Sequence, residues 1–247
     1  TLNSLATELS RPLPVSPPPP TGTAELRSWQ VTARQRLREL VAWEHFAVNA
    51  QRMNVRQIGD VEVARWQIRC HEDWTVPAVS FSPAGAEGSV VVLGDFGRSS
   101  CFPLIDAELL RGQRVLAIDL WGFGEARGDL DKFEPQLLAT VGRPAIGRQA
   151  GQLAAAARWF KQRHGRDVDV RAYGPRTSTI ALLAAAIETD SIVSLYLHHP
   201  LRSLKELIEK NVLPDDAPEL FCFGLLQETD VAHLTALVSP RRVVVEY

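Results

Sequence analysis

The sequence predicts an α/β fold in which a mostly parallel sheet carries helices on both faces. Short, continuous apolar runs alternate along the chain with segments of helical periodicity, as is typical of parallel strands that are buried on both sides. The apolar runs are 89–93, 114–120, 168–174, 192–197 and 241–247. The helical segments are predicted at about 103–111, 146–163, 177–188, 203–211 and 230–238.

Two further extended runs precede this alternation, at 61–70 and 76–84. Their β-branched residues favour strands, and we expect them to lie antiparallel to each other at one edge of the sheet. A helix is predicted over about 23–42. Residues 1–22 are rich in proline, which favours a stiff extended linker, so the predicted domain covers 23–247.

Composition excludes several classes of function. The formal net charge of -2, spread along the chain, argues against nucleic-acid binding. No apolar run is long enough to span a membrane, and the first residues lack the apolar segment of a signal peptide. The three cysteines are far apart and predict neither a disulfide framework nor a metal site, and no cofactor is expected. We expect the chain to be a mature form or a piece of a longer polypeptide, with another domain of that polypeptide as a partner.

A dinucleotide-binding fold is the first alternative for such a strand–helix alternation. It needs a Gly-x-Gly-x-x-Gly turn directly between a strand and a helix. The nearest match is Gly122, Gly124 and Gly128, but the residues that follow are charged and end in proline. No helix N-terminus is predicted there to bind a pyrophosphate, so this alternative is rejected.

The order of the motifs favours a different fold. The stretches VPAVSFSPAG, VVVLGDFGR, VLAIDLWGFGEA, LLATVGRPAIGRQAGQLAAAARWF, ALLAAAI and DVAHLTALVSPRRVVV follow one another between about residue 60 and residue 247. In this span the chain resembles the acetyl xylan esterase-like branch of the α/β hydrolases. The resemblance implies descent from a carbohydrate or carboxyl-ester hydrolase, a carbohydrate or small ester as ligand, and a secreted or periplasmic location.

The nucleophile position of that fold is occupied by an arginine. An α/β hydrolase presents its serine on a tight strand-to-helix turn, the elbow, between small flanking residues. Here the turn reads Gly174-Pro175-Arg176-Thr177-Ser178, with Arg176 at the centre. A guanidinium stays protonated and cannot attack an ester carbonyl. Thr177 and Ser178 are poor substitutes, because a shift of register places bulkier residues at their flanks.

The remaining catalytic parts are also in doubt. The resemblance places the acid and the histidine beyond Tyr247, and the upstream His198, His199 and His233 are expected to be structural or surface residues. The loop Gly94-Asp95-Phe96-Gly97 and the N–H of Thr177 are candidates for an oxyanion site.

Three hypotheses about function remain open. The first is a non-catalytic domain in which Arg176 pairs with Asp95 or Asp119 and closes the old pocket; an anion site beside Arg176 is the less favoured variant of it. The second is an active esterase that is completed by parts outside this segment. The third is a carbohydrate- or partner-binding module in which Trp121 and Phe123 form a stacking platform.

Overall fold

A computed structural model describes residues 2–127 and 134–247. The described chain forms one sheet of eight strands. In chain order they are β1 (Val48–Ile58), β2 (Val61–Cys70), β3 (Trp74–Pro83), β4 (Gly88–Gly94), β5 (Gln113–Ile118), β6 (Val168–Tyr173), β7 (Ile192–His198) and β8 (Arg242–Glu246).

The strands lie side by side in the order β1-β2-β3-β5-β4-β6-β7-β8. The first three pair antiparallel, and β3 is antiparallel to β5. The other five strands run parallel to one another. The predicted mostly parallel sheet is confirmed, and the carboxyl ends of its five parallel strands meet at one edge of the molecule.

Helices cover both faces of this sheet. They are α1 (Leu2–Ser10), α2 (Thr23–Leu40), α3 (Phe102–Leu110), α4 (Glu134–Thr140), α5 (Ala145–His164), α6 (Pro175–Ile187), α7 (Glu206–Glu209), α8 (Leu225–Glu228) and α9 (Val231–Val238). The larger apolar core lies between the sheet and the face that carries α5, α6 and α9. A smaller one lies under α3, where Ile105 and Cys101 pack on Val90, Val92 and Val115. Both cores form because the central strands are apolar on both sides.

Most predicted elements lie within a few residues of the observed ones. The short helices α1, α4 and α8 were not predicted, and one strand and one predicted helix also differ. Strand β1 was not predicted, because at the outer edge of the sheet most of its side chains are exposed and no apolar alternation marks it. The helix predicted at 203–211 is a single turn, Glu206–Glu209. Part of the polar stretch after Gly122 forms α4, and its residues 128–133, including Gly128, lie outside the described residues.

The predicted linker needs correction. Residues 2–10 form a helix, and the proline-rich segment after it packs on the domain. The Val15 N–H donates to the carbonyl of Gln227 at 2.9 Å, and His233 Nε2 lies 3.1 Å from the carbonyl of Pro17. An extended proline-rich chain has no internal hydrogen bonds, so its backbone groups are free to pair with the domain surface.

None of the helices in the described ranges is both long and apolar enough to cross a membrane.

Candidate functional site

The elbow lies at the centre of the carboxyl edge of the sheet. Strand β6 ends at Tyr173 and α6 begins at Pro175, so Gly174 alone makes the turn, with φ 107 and ψ 162. A side chain at Gly174 would be strained at this φ, and its Cβ would lie 2.4 Å from the carboxyl carbon of Asp95. Pro175 suits the first turn of α6, where a backbone N–H has no partner within the helix. Arg176 therefore lies directly after a tight turn between a strand and a helix, as predicted.

The Arg176 side chain is held by a buried carboxylate. Its Nε donates to Glu219 Oε1 at 2.5 Å and its Nη2 donates to Glu219 Oε2 at 2.9 Å, which is a two-pronged ion pair. Glu219 is only 2% exposed. The guanidinium carbon also lies 4.5 Å from the centroid of the Phe123 ring. We predicted Asp95 or Asp119 as the partner of this guanidinium, and that prediction is wrong.

The charge state of Arg176 follows from these contacts. Burial disfavours the charged guanidinium, but the hydrogen bonds and ion pair with Glu219, helped by Asp95 and Asp216, outweigh burial and raise the pKa of Arg176 above its usual value. The side chain is a permanent cation and has no lone pair with which to attack an ester.

Asp95 binds the backbone of the elbow instead. Its carboxylate accepts hydrogen bonds from the N–H of Arg176 at 3.1 Å and from the N–H of Thr177 at 2.7 Å. It also accepts one from the Thr177 hydroxyl at 2.8 Å. A carboxylate at the N-terminus of α6 is favoured by the helix dipole. In an active α/β hydrolase, the N–H of the residue after the nucleophile stabilises the oxyanion. In this chain the Thr177 N–H already has an anionic acceptor, Asp95.

The rest of the predicted oxyanion loop is similarly satisfied. The Asp95 N–H donates to the carbonyl of Tyr173 at 3.0 Å, and the Gly97 N–H donates to that of Gly94 at 2.9 Å. Phe96 points to solvent and is 81% exposed. The N–H groups of Asp95 and Gly97 are therefore already paired with carbonyl groups.

Asp119 belongs to a neighbouring ion pair. One of its oxygens accepts from the Arg98 N–H at 2.6 Å, and the other accepts from the Glu125 N–H at 3.0 Å. The Arg98 guanidinium also forms an ion pair with this carboxylate. Asp119 thus fixes the loop after β5 against the loop after β4, and it does not contact the side chain of Arg176.

The two aromatic residues proposed as a stacking platform are buried. Trp121 is 7% exposed and Phe123 is 2% exposed. The Arg176 guanidinium lies over the Phe123 ring, and the Arg148 guanidinium lies 5.1 Å from the Trp121 ring. With so little exposed surface, the two rings do not form an open stacking platform in this structure.

The hydroxyl groups after Arg176 are inaccessible. Thr177 is 1% exposed and Ser178 is fully buried. The Ser178 hydroxyl donates to the backbone carbonyl of His198 at 3.4 Å, not to an imidazole. The His198 ring instead has Glu246 as its partner, with Nδ1 2.7 Å from a carboxylate oxygen. Neither hydroxyl is accessible to a ligand in this structure.

A polar cleft of about 250 Å³ remains above the elbow. Its described lining consists of Trp121, Gly122, Arg127, Pro135, Gln149, Arg176, Asp215, Asp216, Pro218 and Glu219. Gln149 is 2% exposed and donates through Nε2 to the carbonyl of Trp121 at 3.0 Å. Its buried Oε1 atom has no hydrogen-bond partner among the described residues. Within the same ranges, no group of histidine, cysteine, aspartate or glutamate side chains could hold a metal ion.

Glu219 and Gln149 are the site residues that sequence reasoning missed. Glu219 lies 43 positions after Arg176, in a single 3-10 turn, Pro218–Leu220, with no motif around it. Its one signal is an acidic residue next to the apolar run Leu220-Phe221-Cys222, since a buried acid is normally paired.

Comparison with known proteins agrees with this architecture. No protein-family model and no curated protein matches the chain. Among solved structures, a Bacteroides fragilis protein with a provisional acetyl xylan esterase assignment superposes with a TM-score of 0.82 at 13% identity, covering 99% of this chain and 74% of that one. Acetyl xylan esterase 1 from Thermoanaerobacterium gives 0.60 at 14% identity, with 97% and 91% covered. A promiscuous CE15 esterase from a marine bacterial metagenome gives 0.63 at 14% identity, with 91% and 74% covered.

The fold is therefore that of the α/β hydrolases. Within that class, the chain has the form of the domain seen in acetyl xylan esterases and related carbohydrate esterases.

Proposed function

We propose that this protein is a non-catalytic α/β-hydrolase domain. The observation that carries the proposal is the closed elbow. Arg176 replaces the nucleophile and is bound by Glu219, while the two backbone N–H groups beside it are bound by Asp95. Acyl transfer needs a free nucleophile and free donors for the oxyanion, and at this elbow the chain supplies neither.

The arrangement is also stable enough to persist. Displacing Asp95 by a substrate oxyanion would leave a half-buried carboxylate without its three donors, and this is costly. Opening the Arg176–Glu219 pair would leave a 98% buried carboxylate unpaired, because Glu219 is 2% exposed. A substrate would have to offset both costs to reach the elbow.

The test is hydrolysis of 4-nitrophenyl acetate together with labelling by a fluorophosphonate. We expect the rate to equal that of an equal mass of heat-denatured protein, and we expect no mass increase from the phosphonate. The variant Arg176→Ser is also expected to be inactive, because Asp95 still holds the N–H of residue 177. Turnover that disappears in Ser178→Ala would show an active serine esterase, which is the competing hypothesis, and would overturn this proposal.

A second candidate function is binding without turnover in the polar cleft. It is favoured by Gln149 Oε1, a buried acceptor with no described partner beside a cavity of about 250 Å³. A carbohydrate or small ester with hydroxyl donors would satisfy this atom. Titration of tryptophan fluorescence with acetylated xylo-oligosaccharides tests it. A response that Gln149→Leu abolishes and the exposed Gln35→Leu retains supports binding, and no response at millimolar sugar refutes it.

A further inference from the structure

A second cavity, of about 130 Å³, lies between α2 and α9, where the proline-rich segment packs on the domain. Ser16 and Pro17 form part of its wall. The segment is held there by the hydrogen bond from the Val15 N–H to the carbonyl of Gln227. None of the residues that line this α2–α9 cavity lines the cleft above the elbow, so the two are separate spaces.

Two buried polar atoms of the cavity wall are unpaired. They are Nδ1 of His233 and Oγ1 of Thr229, and neither has a hydrogen-bond partner within residues 2–127 and 134–247. His233 is 7% exposed and Thr229 is 6% exposed, so water reaches them little. Because both atoms are unpaired, they do not bond to each other. Polar atoms left unpaired at this depth are costly, which points to a ligand that fills the cavity and satisfies both.

The two atoms ask for one particular group. His233 Nε2 lies 3.1 Å from the carbonyl oxygen of Pro17, and a carbonyl oxygen only accepts. Nε2 therefore carries the hydrogen, and Nδ1 of the neutral ring is an acceptor. The Thr229 hydroxyl both donates and accepts. A single hydroxyl group on a ligand can satisfy the pair, because it donates to His233 Nδ1 and accepts from Thr229.

Most of the remaining wall is apolar. The apolar lining residues are Trp29, Ala33, Leu37, Leu40 and Leu237. The ring of Trp29 lies beside the histidine, with 6.3 Å between the centroids of the Trp29 and His233 rings. An apolar surface therefore adjoins the two unpaired atoms, and it suits a ligand with an apolar body next to its hydroxyl group.

The volume limits the size of that body. An apolar cavity of about 150 Å³ in another protein holds one benzene molecule, so a ligand with one small ring suits a cavity of about 130 Å³. Water suits the cavity less well. About four water molecules would fill it, and each buried water normally makes about three hydrogen bonds, which a largely apolar wall does not supply.

We propose that the α2–α9 cavity binds a small alcohol with one apolar ring, of which phenol is the simplest example. The ring packs on Trp29 and the leucines, and the hydroxyl bridges His233 and Thr229. This site goes beyond the proposed function, since it uses neither the elbow nor the cleft above it. Because Pro17 closes the cavity through its contact with His233, a bound ligand also stabilises the proline-rich segment against opening.

Isothermal titration calorimetry with phenol and with toluene tests the proposal. Toluene has nearly the shape of phenol, but its methyl group neither donates nor accepts a hydrogen bond. We expect phenol to bind with a Kd of about 1 mM or below, as so small a ligand allows. Toluene should bind at least about tenfold more weakly, because it leaves both polar atoms unpaired.

Two variants isolate the two polar atoms. Thr229→Val keeps the shape of the side chain and removes the hydroxyl. His233→Gln keeps an N–H donor for the carbonyl of Pro17 and removes the ring Nδ1. Each should weaken phenol binding at least about fivefold and leave toluene binding unchanged. Thr235→Val, on the exposed face of the same helix, is the matched control and should change neither.

Amide hydrogen exchange locates the ligand. Phenol should slow exchange of the Val15 N–H, because a bound ligand makes opening of the proline-rich segment rarer. Equal affinities for phenol and toluene would show a merely apolar cavity, and no phenol binding at tens of millimolar would show that water fills it. Either result overturns the proposal. So would phenol binding that both variants leave unchanged, or that gives Val15 no protection, because the ligand would then lie elsewhere.

Discussion

The ion pair between Arg176 and Glu219 should be a major source of stability at the elbow, and its two halves should be unequal. Replacing Arg176 by Met removes the cation but keeps the volume of the side chain. Replacing Glu219 by Gln removes the anion but keeps a hydrogen-bond acceptor for the guanidinium. The two variants therefore isolate the charges with little change in packing.

The magnitude follows from burial. Removing one partner of a buried ion pair costs about 3–5 kcal/mol, because the other charge is left without compensation. The Glu219 side chain is 2% exposed and the Arg176 side chain is 22% exposed. Arg176→Met should therefore cost about 4 kcal/mol, since it leaves the deeper charge unpaired. Glu219→Gln should cost about 2 kcal/mol, because the guanidinium keeps some contact with water and with the Asp95 and Asp216 charges.

The assay is equilibrium unfolding in urea, followed by tryptophan fluorescence and by circular dichroism, for the parent, both single variants and the double variant. Removing both charges should cost less than the sum of the single changes, with a coupling energy of at least about 2 kcal/mol. Two results would refute this reasoning: additive free energies, or an Arg176→Met variant less than about 1 kcal/mol below the parent. Either would mean that solvent screens the pair and that the elbow is not held closed by it.

Three further outcomes are expected. Gly174→Ala should lower the free energy of unfolding by more than about 2 kcal/mol, because an alanine is strained at φ 107 and its Cβ would overlap Asp95. The control Gly165→Ala, where φ is 65 and no atom lies near the added Cβ, should lower it about half as much in the same urea assay. The pKa of His164 is lowered to about 4, by burial first and then by two arginine cations. The folded state therefore binds the proton less readily than the unfolded state. As the pH falls from 6.5 to 4, the free energy of unfolding should drop by about 1–2 kcal/mol relative to a His164→Gln variant, a value reduced because the ring is partly exposed. Equal pH profiles for the two proteins would contradict this. Burial raises the pKa of all three thiols, those of Cys70, Cys101 and Cys222. A thiol reagent at pH 8 should therefore label none of them before the protein unfolds, and rapid labelling of any one would show that its site is open.

Local pattern was sufficient for most of the fold. The five apolar runs identified the parallel strands, because a strand buried on both faces must be apolar at nearly every position. The elbow was located from a strand, a glycine–proline pair and an alanine-rich helix in direct succession, and the structure has one connecting residue there, Gly174. Strand β1 escaped detection because an exposed edge strand has no need of an apolar face.

Only part of the chemistry of the elbow could be predicted from the sequence. The identity of residue 176 showed that the elbow carries no nucleophile at this position, since a guanidinium is never a nucleophile at neutral pH. Which carboxylate pairs with the Arg176 guanidinium depends on distances between segments that are far apart in the chain. Asp95 and Asp119 follow strands that flank the site, and the strand order made both reasonable candidates. Neither pairs with the Arg176 guanidinium, because Asp95 binds the amide groups of α6 and Asp119 binds Arg98.

Glu219 became the partner through tertiary structure alone. The turn Pro218–Leu220 carries a carboxylate over the start of α6 at a depth where water cannot solvate it, and an acid in that position is stable only beside a cation. The sequence by itself determined that an arginine stands at the strand-to-helix elbow of this fold. The tertiary structure decided that this arginine is held by Glu219, because an ion pair depends on where two side chains meet in space and not on their separation along the chain.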